Sequence, residues 1–165
     1  MTNTKSSNQS SEEGEPATGW ENKVWGRTRI DYLSGMEMGH SLEVVEGHVC
    51  SMHIHENRDN TFVVDSGVIR VVYIKGMQVF SKTIGDGCEK NRLFIPPWQV
   101  HQFQVLSSGK LREYYTSYRK NLDPNDIVRF STGCAVPIER LRNNVCFWDS
   151  HGGIVETWDL TNVRG

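Results

Sequence analysis

Over residues 20–118, glycine and proline break the chain into short apolar runs, and that punctuation constrains the fold more than any other feature. The runs cover residues 41–45, 49–55, 61–64, 68–74, 79–84, 93–95, 101–106 and 111–118. They are rich in β-branched and aromatic side chains, which suit a pleated, half-buried surface. Ser66-Gly67, Lys75-Gly76, Gly85-Asp86-Gly87, Pro96-Pro97 and Ser107-Ser108-Gly109 separate them and read as turns. Strands this short, recurring about every ten residues, predict an all-β sandwich or barrel.

The flanks differ in character. Residues 1–18 hold Ser, Asn, Glu and Gly with almost nothing apolar, so they cannot bury enough surface to offset their ordering entropy and read as a flexible tail. Residues 19–130 form the barrel in this reading, and residues 131–165 an extension packed on it or serving a dimer contact. Within the extension, residues 137–142 suggest one short helix with Pro137 at its first position. Residues 145–148 and 154–158 suggest a hairpin across Ser150-His151-Gly152-Gly153.

At 165 residues the chain suffices for one domain. A net charge of -2 gives no sign of a polyanion partner or a basic membrane-binding face. No apolar run approaches the roughly 20 residues that span a bilayer. The polar N-terminus lacks the apolar core of a secretory signal. The four cysteines, Cys50, Cys88, Cys134 and Cys146, are widely spaced, as free thiols of a reducing compartment would be. The expectation is a cytoplasmic protein.

Chemistry concentrates in the histidines. His53 and His55 stand two apart on a predicted strand, so their imidazoles project from one face. His101 follows a Pro-containing turn two or more strands later. In a small closed barrel, inward positions on different strands come within reach of one ion. Three neutral imidazoles suit Zn, Fe, Mn, Ni or Cu. Glu113 and Tyr115 alternate on the last barrel strand and share a face. If that face is inward, Glu113 is a general base and Tyr115 a hydrogen-bond donor; if outward, both are surface residues. His40 and His48 fall at strand ends and read as solvated, and His151 as a turn residue.

The spacing of these residues resembles a known family. Gly47, His53, His55, Asn60 and Gly67 have the spacing of the first cupin motif, with Asn60 where that motif places Glu. Pro96-Pro97-Trp98-Gln99-Val100-His101 resembles the core of the second motif, with Trp98 in place of Gly. Within cupins, the chain is most similar to the cupin domain of type II mannose-6-phosphate isomerases. Three stretches carry that similarity: Val24-Trp25-Gly26-Arg27, the histidine strand with Val63-Val64-Asp65-Ser66-Gly67, and Asn125-Asp126-Ile127-Val128-Arg129-Phe130.

The resemblance implies a jelly-roll barrel with one divalent transition metal (Zn, Fe, Mn or Ni) held by His53, His55, His101 and the residue at Asn60. Asn60 offers only a neutral carbonyl oxygen, which weakens divalent binding and leaves the metal more electrophilic. Asp59 is adjacent, but strand alternation turns it the other way. Arg129 binds an anion or makes a structural ion pair. Trp98, Phe62 and Tyr73 serve as core or pocket-wall aromatics on which a sugar face could stack. Three functions remain open. They are an isomerase or epimerase of a small sugar or sugar phosphate, a three-His iron dioxygenase, and a non-catalytic small-ligand-binding barrel. Cupin barrels commonly pair through edge strands, so the chain is expected to form a homodimer.

Overall fold

The computed structural model describes residues 19–118 and 121–156. The tail expected over residues 1–18, and residues 157–165 of the extension, lie outside the described residues. Strands β1 (Glu21–Lys23), β2 (Gly26–Ser34), β3 (Glu37–Val44), β4 (His48–Val49) and β5 (His53–Ile54) come first. Then follow β6 (Asn60–Lys75), β7 (Gln78–Gly85), β8 (Arg92–Ile95) and β9 (His101–Thr116). The last elements among the described residues are β10 (Val128–Arg129), β11 (Cys134–Ala135), helix α1 (Ile138–Asn143), β12 (Phe147–Trp148) and β13 (Ile154–Val155).

The long strands β6 and β9 pair antiparallel and form the common wall of the barrel. The second half of β9 also pairs with β3, while its first half pairs with β4 and β5. β7 and β8 extend the other edge of β6. The interior holds Leu42, Phe62, Val64, Ile69, Val71, Phe103, Val105 and Leu111, all buried. Around Leu42 and Leu111 these alternate with polar residues, as a half-buried strand requires, whereas β6 also buries Val72 on its other face in a second cluster with Met52, Ile54 and Phe147. The fold is all-β, a curled jelly roll.

Two predicted turns are not turns. Ser66-Gly67 and Ser107-Ser108-Gly109 lie inside β6 and β9, where the pairing register shifts. Gly67 has φ 81, and a Cβ there would stand 2.6 Å from the Ser108 carbonyl oxygen. A Cβ on Gly109 would stand 2.0 Å from the Ser66 carbonyl oxygen. The glycines therefore permit a close backbone approach at a bulge, and the two strands bend together without ending. The run at 49–55 is likewise divided into β4 and β5. Between them, the Cys50 N–H donates to the Phe103 carbonyl at 3.0 Å.

The extension lies against the outer face of β9. Gln102 donates to the carbonyls of Cys50 and Trp148 at 3.0 and 2.9 Å, and accepts from the Trp148 N–H at 3.0 Å. Gln104 donates to the Cys146 carbonyl at 2.7 Å. Arg70 donates to the carbonyls of Leu141 and Asn144, at 2.8 and 2.9 Å. It thereby satisfies carbonyls that the end of α1 leaves open. The hairpin pairs Phe147 with Val155 and Trp148 with Ile154. His151 is exposed in its turn.

Candidate metal centre

His53 and His101 face each other across β5 and β9 as directly paired residues, and His55 follows at the end of β5. The ring centroids lie 4.3 Å apart for His53 and His101, 5.0 Å for His53 and His55, and 5.5 Å for His55 and His101. One ligand atom from each ring lies within 4.8 Å of the others, and all three residues are buried. Among the described residues this is the group of His, Cys, Asp and Glu that could hold an ion.

Each ring is fixed through Nδ1. His53 Nδ1 lies 2.8 Å from the Ser51 carbonyl, His55 Nδ1 2.6 Å from that of Asp126, and His101 Nδ1 2.8 Å from that of Gln99. A carbonyl only accepts, so each Nδ1 carries the proton and each Nε2 keeps its lone pair. Arg58 Nε also approaches His55 Nδ1, at 3.3 Å, but a protonated nitrogen cannot accept, so the shorter carbonyl bond sets the tautomer. The Nε2 atoms of His55 and His101 are buried without a hydrogen-bond partner among the described residues. Orphaned buried nitrogens are costly in an empty interior and natural at a metal.

Burial keeps the rings neutral. His101 is held down at about 4 by burial, and His55 at about 2 by burial and then the neighbouring His101 and Arg58 charges. His53 is pushed well below the usual histidine range by burial and then by His101 and His55. All three are metal-ready near neutral pH. The same shifts make metal-free protein acid-sensitive. An unfolded histidine takes up its proton below about pH 6.5, whereas these folded rings resist it. The unfolded state then binds more protons, so stability is full above that pH and falls as pH falls toward 4. For His101 alone the loss by pH 4 is on the order of 3 kcal/mol. Glu113, raised by burial, acts in the opposite sense but is one group against three. Urea denaturation of chelator-treated protein at pH 7 and pH 5 is expected to give a clearly lower midpoint at pH 5. An unchanged or higher midpoint contradicts buried neutral rings.

A cavity of about 800 Å³ opens beside the triad. Its wall includes Trp25, His40, Phe103, Glu113, Tyr115 and Arg129. The parity left open by the sequence is settled here. Leu111 points into the core, so Glu113 and Tyr115 do too, and Arg112 points out to Asp65. Both Glu113 oxygens are bonded: Tyr115 donates to Oε2 at 2.7 Å and Asn60 Nδ2 to Oε1 at 3.3 Å. Burial raises the Glu113 carboxyl above its ordinary value, against the lowering pull of those two bonds. Tyr115 is raised well above the usual phenol range by burial and then by the Glu113 charge, so it stays protonated. Asn60 is fully buried, and its Oδ1 has no partner among the described residues. Asp59 is turned away, accepting from the Thr116 N–H at 3.0 Å and the Tyr118 hydroxyl at 3.2 Å.

Of the aromatics expected in the core or on a pocket wall, Phe62 takes the core place. Trp98, Phe62 and Tyr73 do not line this cavity; Trp25 and Phe103 do. Phe62 is fully buried in the core, 6.2 Å from the His101 ring, and Tyr73 stacks on Phe80 at 5.9 Å. Trp98 is 54% exposed and has φ 65. That is the left-handed conformation glycine favours, which accounts for a Gly at this motif position. Its backbone N–H donates to the His55 carbonyl at 2.7 Å, so Trp98 serves the site through its main chain.

Three contributors escaped the sequence reading. His40 is paired directly with Glu113 across β3 and β9, so the pleat turns it inward. Its Nε2 is buried without a partner among the described residues, and burial, then the Arg58 charge, holds it at about 4. Asp126 accepts from the Glu56 and Asn57 N–H groups at 3.0 and 2.8 Å while its carbonyl holds His55, so it clamps the loop after the His pair. Arg58 stacks on the Tyr115 ring, 4.3 Å from its centroid. In the sequence, Asp123-Pro124-Asn125-Asp126 has the composition of a turn, which is the local signal for Asp126. His48, by contrast, lies outside the site, its Nδ1 3.0 Å from the Glu46 carbonyl.

No family model and no curated protein matches the chain. Solved structures do. An oxalate decarboxylase of Bacillus subtilis is similar with a TM-score of 0.58 at 15% identity, over 68% of this chain and 30% of that one. The oxalate decarboxylase of Lactobacillus farciminis, in complex with formate, gives 0.56 at 14% identity, over 68% and 33%. KdgF from Halomonas sp. gives 0.51 at 16% identity, over 62% of this chain and 88% of that one. The chain thus spans about a third of the decarboxylases and most of KdgF. At this identity the likeness establishes the fold, which is the cupin jelly roll. Fold and histidine triad together give a cupin-type jelly roll whose three buried imidazoles could hold one metal ion.

Proposed function

We propose that this cupin is an isomerase or epimerase of a small sugar or sugar phosphate, with one Zn, Fe, Mn or Ni ion on the Nε2 atoms of His53, His55 and His101. The observation that supports this reading is Glu113, a buried carboxylate opening on the same cavity as the triad, with both oxygens positioned by Tyr115 and Asn60. The bound ion supplies Lewis-acid polarisation of adjacent carbonyl and hydroxyl oxygens. Glu113 takes the proton from the hydroxyl-bearing carbon next to the carbonyl and returns it to the carbonyl carbon, while the hydroxyl proton passes to the carbonyl oxygen. Epimerisation instead returns a proton to the first carbon from a donor on the opposite face, such as solvent. The burial-raised pKa of Glu113 suits both directions of transfer. Tyr115 remains a donor and fixes one carboxylate oxygen, and Asn60 Oδ1 is a weak neutral fourth ligand. Arg129 contacts the substrate at the cavity wall. This chemistry is the one that the short stretches resembling type II mannose-6-phosphate isomerases imply.

The test is incubation of metal-loaded protein in D2O with a panel of aldoses, ketoses, their phosphates and the corresponding sugar acids, read by NMR. Interconversion with deuterium entering next to the carbonyl is the expected result; no exchange with any added divalent metal refutes the assignment. A second reading rests on Asn60. A neutral ligand set leaves iron its full charge for an anionic substrate and oxygen, as in a three-His dioxygenase. Oxygen uptake after anaerobic Fe(II) loading, lost in His101→Ala, would favour it over isomerisation. We also propose a homodimer: β1 and β7 each pair on one side only among the described residues. Light scattering giving the mass of a single chain rules that out.

A further inference from the structure

Arg58 is 4% exposed, yet no carboxylate lies within ion-pair distance of it among the described residues. Burying an arginine without a counter-ion is costly unless something else satisfies it. Its internal hydrogen bonds are poor. Nε reaches His55 Nδ1 at 3.3 Å, where the nitrogen already donates elsewhere, and Nη1 reaches the Asp123 carbonyl at 3.3 Å. Nη2 makes no hydrogen bond among the described residues, and the side chain lines the cavity beside the triad. Stacking on Tyr115 fixes the guanidinium plane and so leaves the fork pre-set.

The rest of the wall adds to this imbalance. Lys23 is matched by Glu21, and Arg29 by Asp31. Arg129 also lines the cavity, without an ion pair among the described residues, and its backbone register opposite His53 places it at the triad. Glu113 is the acid facing these two guanidiniums, and both its oxygens already accept bonds from Asn60 and Tyr115. The cavity therefore carries excess positive charge before any metal binds.

We propose that the substrate is a carboxylate, a small hydroxy or keto acid such as a sugar acid, whose carboxylate is bound by Arg58 while its hydroxyl or carbonyl end faces His53, His55 and His101. A flat, singly charged carboxylate fits one planar guanidinium edge, and Arg129 closes over the anion from the wall. This deepens the isomerase reading, since it depends on the same cavity being the substrate site.

Calorimetry tests it with three probes: glycolate, its uncharged isostere glycolamide, and inorganic phosphate. Each is titrated into metal-free and Zn-loaded full-length protein. In the metal-free protein, glycolate is expected to bind at least ~10-fold more tightly than glycolamide, because a charge-assisted hydrogen bond is at stake. Arg58→Gln should remove that preference. Arg58→Lys keeps a stem against Tyr115, so it carries the test if the Gln variant does not fold, and should lose most of the preference. Equal binding of glycolate and glycolamide overturns the proposal, as does a preference unchanged in the folded variants. Phosphate binding more tightly than glycolate, and lost with Arg58, overturns the carboxylate assignment in favour of a phosphate. The metal-free arm needs no turnover. A glycolate preference in protein that isomerises nothing leaves this inference standing while the isomerase reading fails; turnover of neutral sugars without that preference does the reverse.

Discussion

Replacing His101 with Ala is expected to strip the metal from the barrel while leaving the barrel folded. His101 is fully buried, pairs directly with His53, and contributes one of three converging nitrogens. Losing a residue that merely orients a ligand costs roughly 10–100-fold in metal affinity. Losing a ligand outright should exceed ~100-fold, since two imidazoles remain and Asn60 brings no charge. The vacated volume lies against Phe62 and adds a cavity cost on the order of 2–3 kcal/mol. Metal content after dialysis against a competing chelator, read by atomic emission, checks the claim. His48→Ala is the control, since that ring lies outside the site. The wild type should retain one ion per chain, His48→Ala should match it, and His101→Ala should retain none. Equal retention by wild type and His101→Ala contradicts the assignment.

Glu113→Gln should separate chemistry from binding. The amide keeps an oxygen to accept from Tyr115 or Asn60 but cannot take a proton. Turnover is expected to fall by ~10²–10⁴, the usual contribution of a positioned base, with metal content unchanged. Removing a carboxylate whose ionisation burial opposes should leave thermal stability equal or raise it. A folded, metal-loaded variant with wild-type turnover excludes Glu113 as the base. Lost metal in that variant would instead make Glu113 a structural support of the ligand set.

The parts of the site that rest on local periodicity were legible in the sequence. His53 and His55 obey the period-two rule of a strand, and the Pro96-Pro97 turn delivers His101 to a barrel position. The side on which Glu113 falls was not legible, because Ser107-Ser108-Gly109 proved to be a bulge. A bulge resets which face a strand shows, whereas a turn restarts it, and only the pairing of β9 with β6 decides between them. His40 depends on register too. Its partner Glu113 lies far along the chain, so nothing near His40 marks it as inward. Arg58 and Asp126 escaped for another reason. A charged residue in a polar loop looks solvated in sequence, and only burial shows that it holds the site. Gln102 and Gln104 do point outward as their alternation implies, yet the extension covers them, so polarity there records hydrogen bonding to β12 and its flank.

Anomalous diffraction at the metal absorption edge, from crystals of untagged protein grown without chelator, tests the central claim most directly. The account predicts one peak per chain about 2.1 Å from Nε2 of His53, His55 and His101, with Asn60 Oδ1 or solvent completing the shell. A metal bound elsewhere, or ligated through Nδ1, would contradict it, as would three imidazoles closed on one another with no ion after metal is supplied.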